Sequence, residues 1–250
     1  MAGTLYIVPT PVGNMDDMTP RAIQVLKAVS LILAEDTRTS APLMRRFDIS
    51  TPMASHHKFN EHTSVAGVVK MLQSGQDIAL VSDAGTPGIS DPGFMLSREC
   101  RRCDIPVVTL PGATAFVPAL VDSGLPCERF TFQGFLPPKK GRATRLAEIA
   151  DSPVSSIVYE SPLRLAKTLQ QLAEACGPER EASVSREISK LHETTVRGTL
   201  CGLSAFFADN PAKGEIVIVI APKPDRAVRR HHNKFKGADD DGDDRSQGLE

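Results

Sequence analysis

Short apolar runs recur along this chain, and each is closed by a cluster of polar residues and backbone breakers. Leu5-Tyr6-Ile7-Val8 ends at Pro9-Thr10-Pro11-Val12-Gly13-Asn14, Leu31-Ile32-Leu33-Ala34 ends at Glu35-Asp36-Thr37-Arg38-Thr39, and Val107-Val108-Thr109-Leu110 ends at Pro111-Gly112-Ala113-Thr114-Ala115. The same pattern places Ile78-Ala79-Leu80-Val81 directly ahead of the longest such cluster, Ser82 to Gly93, SDAGTPGISDPG. Runs this short and this apolar predict buried strands, and the clusters predict loops at their carboxyl ends.

Between the strands the period changes to that of helices. Thr19 is placed to cap a helix that starts at Pro20 and carries Ile23, Leu26 and Val29 at helical spacing. Val65, Val68, Val69 and Leu72 mark a second helix closed by Gly75, Phe94 to Cys100 a third, and the stretch after Ala115 to about Asp122 a fourth. Four strand, loop and helix units predict a mostly parallel sheet flanked by helices, with every polar loop on one edge. In such sheets ligands bind at the carboxyl ends of the strands, so the Ser82–Gly93 loop is the first candidate site. Turn capping by Ser82, Asp83 and Asp91 is the competing explanation of its composition.

Beyond Ser123-Gly124-Leu125-Pro126 the pattern restarts. Phe130 to Phe135 reads as a strand followed by the basic loop Pro137-Pro138-Lys139-Lys140-Gly141-Arg142, to which Arg145 adds a further cation. Ser156 to Tyr159 predicts a strand and Ser161 the cap of a helix with Leu165, Leu169 and Leu172 inward. Val184 to Lys190 and Glu193 to Gly198 read as half-buried strands, Ser204 to Asp209 as a short helix, and Gly214 to Ile220 as the last and most apolar strand. The chain therefore divides into residues 1–124, residues 125–222 and a tail over 223–250 that has little to bury and is expected to be disordered.

Composition narrows the class of ligand. The 250 residues carry a formal net charge of −1, so a nucleic acid would have to be held by a local patch and not by a global basic field. Within the tail, six Lys/Arg against Asp225 in Lys223–Lys236 are offset by five Asp and Glu250 against Arg245. The five cysteines are scattered, which predicts reduced thiols, and Cys100-x-x-Cys103 has neither a second pair nor histidines at zinc spacing. His56, His57 and His62 concentrate three of the six histidines, a group that could hold a metal or simply hydrogen-bond to backbone. With no long apolar run and no leader-like start, the cytoplasm is the expected location. Neither a G-x-x-x-x-G-K-[ST] phosphate loop nor a G-x-S-x-G nucleophile elbow occurs.

LYIVPTPVGNMDDMTPRA, AEDTRTS, SHHKFNEH, LVSDAGTPGISDPG, LPGATAFVPAL, FTFQGFLPPKKGR, VYESPLRL, SREISKLHET and KGEIVIVI follow one another from Leu5 to Ile220. In this order they closely resemble the ribosomal RNA small subunit methyltransferase I family, a branch of the tetrapyrrole methylase fold. The resemblance implies two α/β domains of the tetrapyrrole methylase type with S-adenosylmethionine in the cleft between them. It also implies a homodimer that methylates a cytidine ribose 2′-hydroxyl in the decoding region of small-subunit (16S) rRNA, as free rRNA or in the assembled subunit, with no DNA, membrane or metal involved. Two alternatives are methylation of a small tetrapyrrole and a non-catalytic ribosome-assembly factor that binds RNA.

Carried over by position, the cofactor would lie against Pro11, Val12 and Gly13, against Asp83, Ala84, Gly85, Thr86 and Ile89, and against Thr114 and Ala115. Phe132, Tyr159 and Glu160 would close the pocket from the second domain. A ribose hydroxyl needs help to lose its proton, and the candidate bases are Lys190, if its pKa is lowered, and Glu187, Glu35 or Asp36. Arg38 and the patch Lys139, Lys140, Arg142 and Arg145 are the candidate phosphate contacts.

Overall fold

The computed structural model describes residues 1–57 and 61–224, without the side chains of residues 61–63. His62 and the split-charge tail from Asp225 onward lie outside the described residues and side chains. The first half of the chain builds a five-stranded sheet from β1 (Leu5–Ile7), β2 (Leu31–Ala34), β3 (Met53–Ser55), β4 (Ile78–Val81) and β5 (Val107–Thr109), in the order β3-β2-β4-β1-β5. Every neighbouring pair is parallel. The sequence predicts four of these strands. β3 is three residues long and only half-buried, too little for an apolar signal.

Helices cover both faces of this sheet. On one face, α1 (Pro20–Ala28) and α2 (Thr37–Arg46) pack Leu26, Leu43 and Met44 against Ile32, Ala34, Ala79 and Val81. On the other, α3 (Glu61–Gln73) and α4 (Phe94–Arg102) pack Leu72, Leu96 and Cys100 against Leu5, Leu33, Ile78 and Leu80. Successive strand residues thus alternate between two dry cores, which is why the strands read as unbroken apolar runs. Thr19 caps α1 as expected, accepting from the Ala22 N–H at 3.1 Å. Burial lifts the Cys100 thiol to about 11, so it is an inert core group.

The second sheet comprises β6 (Phe130–Phe135), β7 (Ser155–Glu160), β8 (Glu181–Arg186), β9 (Thr194–Thr199) and β10 (Ile216–Ile220), in the order β6-β7-β10-β8-β9. Only β6 and β7 run parallel. Its outer face is covered by α6 (Arg142–Asp151), α7 (Leu165–Cys176) and α8 (Leu200–Asp209). Its inner face receives α5 (Phe116–Ser123), whose Ala119 and Leu120 pack on Ile157, Val217 and Val219. The expected division at Gly124 therefore cuts α5 from the sheet it packs against. Arg197 of β9 fastens the end of α5 by pairing with the Asp122 carboxylate at 2.7 Å.

Two expected elements are shifted. The helix α7 starts at Leu165 and not after Ser161, because the Glu160 carboxylate takes the Ser161 N–H at 2.7 Å and residues 161–164 form a turn. The strand expected over 184–190 stops at Arg186, where left-handed backbone at Glu187 (φ 53°) and Ser189 (φ 64°) turns the chain into a strap. Among the described residues, no helix is long and apolar enough to cross a membrane.

Candidate functional site

The site grows from the neighbours β1 and β4, whose outgoing connections run to opposite sides of the sheet, as at the ligand crevice of doubly wound folds. Thr10 and Gly85 exchange two backbone hydrogen bonds of 2.9 Å, which zip the loop after β1 to the loop after β4. Buried Ser82 supports the turn by accepting the Thr10 hydroxyl on its carbonyl at 3.0 Å and donating its own hydroxyl to the Gly85 carbonyl at 3.3 Å. Thr86 donates to the Ala113 carbonyl at 3.0 Å and joins the loop after β5. Gly85 adopts φ +82°, a conformation that would strain any L side chain on the pocket wall.

The loop after β2 is tied to the same structure through the Asp36 N–H, which donates to Asp83 Oδ1 at 3.2 Å. Asp36 itself caps α2, accepting from the Arg38 N–H at 2.8 Å and pairing with the Arg38 guanidinium at 2.7 Å. Those contacts, the side-chain bond first, hold its carboxyl down at about 2. A group so acidic and so engaged is a poor proton acceptor.

Between these loops and the second sheet lies a cavity of about 450 Å³. Of the expected cofactor contacts, Val12, Asp83, Ala84, Gly85, Thr86, Ile89, Thr114, Ala115, Tyr159 and Glu160 line it, as does Glu35. Pro11, Gly13 and Phe132 do not. Phe132 stands behind the wall, its ring 5.1 Å from Tyr159 and 4.8 Å from Phe116. Gly13 is required by the strap, since a Cβ there would meet Lys190 Cγ at 2.5 Å. The Glu160 side chain is buried and committed to the Arg164 guanidinium and the Thr168 hydroxyl, each at 2.7 Å.

Sequence reasoning did not assign Ser90, Asp91, Phe135, Ser161, Pro162, Ile188, Gly214, Glu215, Ile216 or Val217 to the cavity wall. Half of them, Ile188 and Gly214 to Val217, come from the strap or the entry to β10, whose approach to the first sheet leaves no local signal. Asp91 was visible, but only as a turn residue.

The wall is strongly acidic. Burial first, and then the nearby Asp83, raises the pKa of Glu35. Asp83 is raised chiefly by burial, against the Asp36 N–H that stabilises its charge. Asp91 is pushed up to about 7 by burial and then by Glu35, Asp83 and Glu215. Burial likewise moves the Tyr159 phenol up to about 12. Five carboxylates around a partly closed cavity, of which only Glu160 and Glu215 are paired with a cation, favour a ligand that carries positive charge.

The strap side is compensated. Lys190 Nζ donates to Glu187 Oε1 at 3.0 Å and to Glu215 Oε2 at 3.1 Å. Burial alone would lower the Lys190 pKa, yet these two carboxylates outweigh it and raise the value. Lys190 therefore does not meet the condition for a neutral base. Glu187 is lowered by the Glu215 N–H and then by Lys190, so its carboxylate is likewise a weak acceptor.

The basic residues separate in the same way. Lys139 and Lys140 are exposed beyond β6. Arg38 projects outward beside its Asp36 partner, and Arg145 pairs with Glu148 at 2.7 Å. Arg142 turns inward to Gln171 at 2.8 Å, Thr168 at 2.7 Å and the Pro137 carbonyl at 3.2 Å, so it holds the loop in place and has no free face for a phosphate. His56 is buried, with Ser64 Oγ 2.9 Å from its Nδ1. Among the described residues no three His, Cys, Asp or Glu side chains are grouped to hold a metal.

Residues 4–203 match the family described as Tetrapyrrole (Corrin/Porphyrin) Methylases. A Synechocystis protein named ribosomal RNA small subunit methyltransferase I is 49% identical over 220 residues, covering 88% of this chain and 79% of that protein. A Pseudomonas aeruginosa protein of the same name is 46% identical over 223 residues, with the same two coverages. Among solved structures, a cobalt precorrin-4 methyltransferase superposes with a TM-score of 0.67 at 15% identity, over 87% of this chain and 94% of that one. A Thermus thermophilus uroporphyrin-III C-methyltransferase complexed with S-adenosylhomocysteine gives 0.59 at 18% identity, over 87% and 97% of the two chains. At these identities the two structures share the fold.

Proposed function

The chain belongs to the tetrapyrrole (corrin/porphyrin) methylase family, and from that premise we propose that it transfers a methyl group from S-adenosylmethionine to the 2′-hydroxyl of a cytidine ribose in small-subunit rRNA, in its decoding region. The observation that carries this reading is the acidic cavity of about 450 Å³ formed by the loops after β1, β2, β4 and β5 against β7 and β10. Its volume lies within the usual range of about 300–1,000 Å³ for a small-molecule site. Its carboxylates suit a cofactor that bears both a sulfonium and an ammonium group.

When bound, the cofactor supplies an electrophilic methyl carbon whose departure leaves sulfur uncharged. The chain's own part is to hold donor and acceptor in line and to keep bulk water out. Gly85 and Ala84 let backbone approach the ligand closely, Thr114 and Ala115 sit just ahead of α5, and Tyr159, stacked edge-on against Phe132 and Phe135, forms the apolar lid side. Exposed Lys139 and Lys140 on the loop after β6 offer two cations to an RNA backbone.

The same reading includes a homodimer working in the cytoplasm, where small subunits are assembled. Val117 and Val121 lie one turn apart on the outer face of α5, 46% and 68% exposed, which gives a second copy an apolar surface to cover. The deciding experiment maps 2′-O-methylation on small-subunit rRNA from cells with and without this protein. Loss of one cytidine modification supports the assignment, and an unchanged map rejects it. Calorimetry with S-adenosylmethionine separates an enzyme from an RNA-binding assembly factor, which would show no binding at high micromolar concentration.

A further inference from the structure

We propose that Asp91 is the group that accepts the substrate hydroxyl proton during methyl transfer. This rests on the reading of the cavity as the methyl-transfer site. Of the carboxylates around it, Asp91 is the one that receives no donor from the described residues. Glu160 is held by Arg164 and Thr168, Glu215 by Lys190, and Asp83 by the Asp36 N–H. Glu35 receives a backbone hydrogen bond from Asp83. No hydrogen bond or ion pair of the described residues engages the Asp91 side chain, although it lines the cavity and is half-buried.

The backbone explains how a loop presents such a residue. Ser90 adopts φ +68°, a conformation that costs a non-glycine residue energy and is kept only where the surroundings hold it. Ser90 stands against the second half of the molecule: its Oγ lies so near Gly134, the left-handed residue in the bulge of β6, that a Cβ there would be only 3.1 Å away. The Gly88 N–H donates to the Pro92 carbonyl at 3.1 Å and closes the turn around the carboxyl. Asp91 is thereby fixed where the first-half loops meet the second sheet, the place at which a substrate entering between the halves would meet a ligand on those loops.

Four titratable groups face it. They are Glu35 at the end of β2, Asp83 on its own loop, Tyr159 of β7 and Glu215 before β10, and none of them brings a positive charge. A proton acceptor works best when its pKa lies near the working pH, and Asp91 at about 7 meets that condition. In the step, the ribose oxygen bonds to the methyl carbon, the carbon–sulfur bond breaks with its electron pair remaining on sulfur, and the hydroxyl proton passes to an Asp91 oxygen. The proton then leaves to solvent, and charge balances without a metal or a further reactant.

The test compares Asp91→Asn and Glu35→Gln with the parent, using full-length protein, small ribosomal subunits lacking the modification, and S-adenosylmethionine. Single-turnover methyl transfer by the parent should rise with pH through about 7, and Asp91→Asn should be slowed roughly 100-fold or more and lose that rise. Glu35→Gln, which removes a neighbouring negative charge, should move the rise to lower pH without abolishing it, whatever it costs in cofactor binding. A second readout needs no turnover. Calorimetry at pH 6.5 in buffers of different ionisation enthalpy should show proton release when cationic S-adenosylmethionine binds the parent, less with S-adenosylhomocysteine, and little with Asp91→Asn.

Asp91→Asn retaining the parent rate and pH profile, or releasing as many protons as the parent on binding, overturns the proposal. So does a profile abolished by Glu35→Gln instead. A parent that binds the cofactor but methylates no subunit RNA overturns the function from which the proposal starts, an outcome distinct from failure at Asp91 alone.

Discussion

Asp91 and Glu187 are both acidic residues at the cleft, both sit beside left-handed backbone, and the structure treats them in opposite ways. Glu187 collects the Glu215 N–H at 2.9 Å and the Lys190 ammonium at 3.0 Å, and its pKa falls. Asp91 collects no donor, faces three other carboxylates, and its pKa climbs to about 7. Residue type and nearness to the cleft are therefore insufficient to pick a proton acceptor. The balance between burial and partners decides, and it divides the cleft into a rigid, charge-compensated strap and an uncompensated, acidic loop.

The largest expected effect breaks the compensated side. Gly214 has φ +86°, and a Cβ there would run into the Glu187 carboxylate. Gly214→Ala should therefore destabilise by about 2–4 kcal/mol, from left-handed strain plus overpacking. Urea denaturation checks it, and a midpoint within error of the parent would mean that the strap yields freely.

Stability against pH sharpens the contrast, because the two carboxylates act with opposite sign. Asp91 has a folded pKa above its unfolded value, so the folded protein binds the proton more tightly, and stability falls as pH rises from about 4 toward about 7. Glu187, lowered on folding, contributes stability that is present above the ordinary carboxyl range and lost as pH falls through its folded value. Asp91→Asn should abolish the first loss, worth about 2 kcal/mol at pH 7.5 once partial exposure is allowed for, and leave the acid limb intact. Parallel curves for parent and variant would refute the assignment of the loss to Asp91.

Asp83→Ala tests whether the acidic side reads the charge of the ligand. Removing a carboxylate that takes the Asp36 N–H at the cavity rim should weaken S-adenosylmethionine binding about tenfold, or ~1.4 kcal/mol. S-adenosylhomocysteine, whose sulfur is neutral, should lose less. Equal losses for both ligands in calorimetry would indicate that Asp83 acts through the loop's shape instead of its charge.

What the sequence makes legible follows from where each cause lies. Strands buried on both faces announce themselves as unbroken apolar runs, and Thr19-Pro20 announces the start of α1, because those causes are local. Most of the cavity's first-half wall was legible as well, since parallel strands must bring their polar ends to one edge. The attachment of α5 to the second sheet was not, because Ile157, Val217 and Val219 lie far along the chain from Ala119 and Leu120. Arg142 looked like a surface cation for the same reason: its partners Thr168 and Gln171 come from α7. The perturbation of Asp91 is assembled from Glu35, Asp83 and Glu215, which only the fold brings together.

The smallest expected effect decides how far the contrast extends into the chemistry. Lys190 is one of the four candidate bases that sequence alone offers, yet its ammonium is shared by Glu187 and Glu215 and its stem covers Gly13. Because that pair of contacts is partly exposed, Lys190→Met, which keeps the stem and removes the charge, should cost under about 1 kcal/mol of stability. Methyl transfer should stay within about tenfold of the parent, because a lysine held protonated cannot take the hydroxyl proton. The pH profile is the sharper measure. With Lys190 gone, Glu215 loses its counter-charge beside Asp91, so the rise through about 7 should persist and move slightly upward. A profile that instead flattens, with a rate loss of 100-fold or more, would transfer the proton-accepting role to the strap and reverse the contrast between the two sides of the cleft.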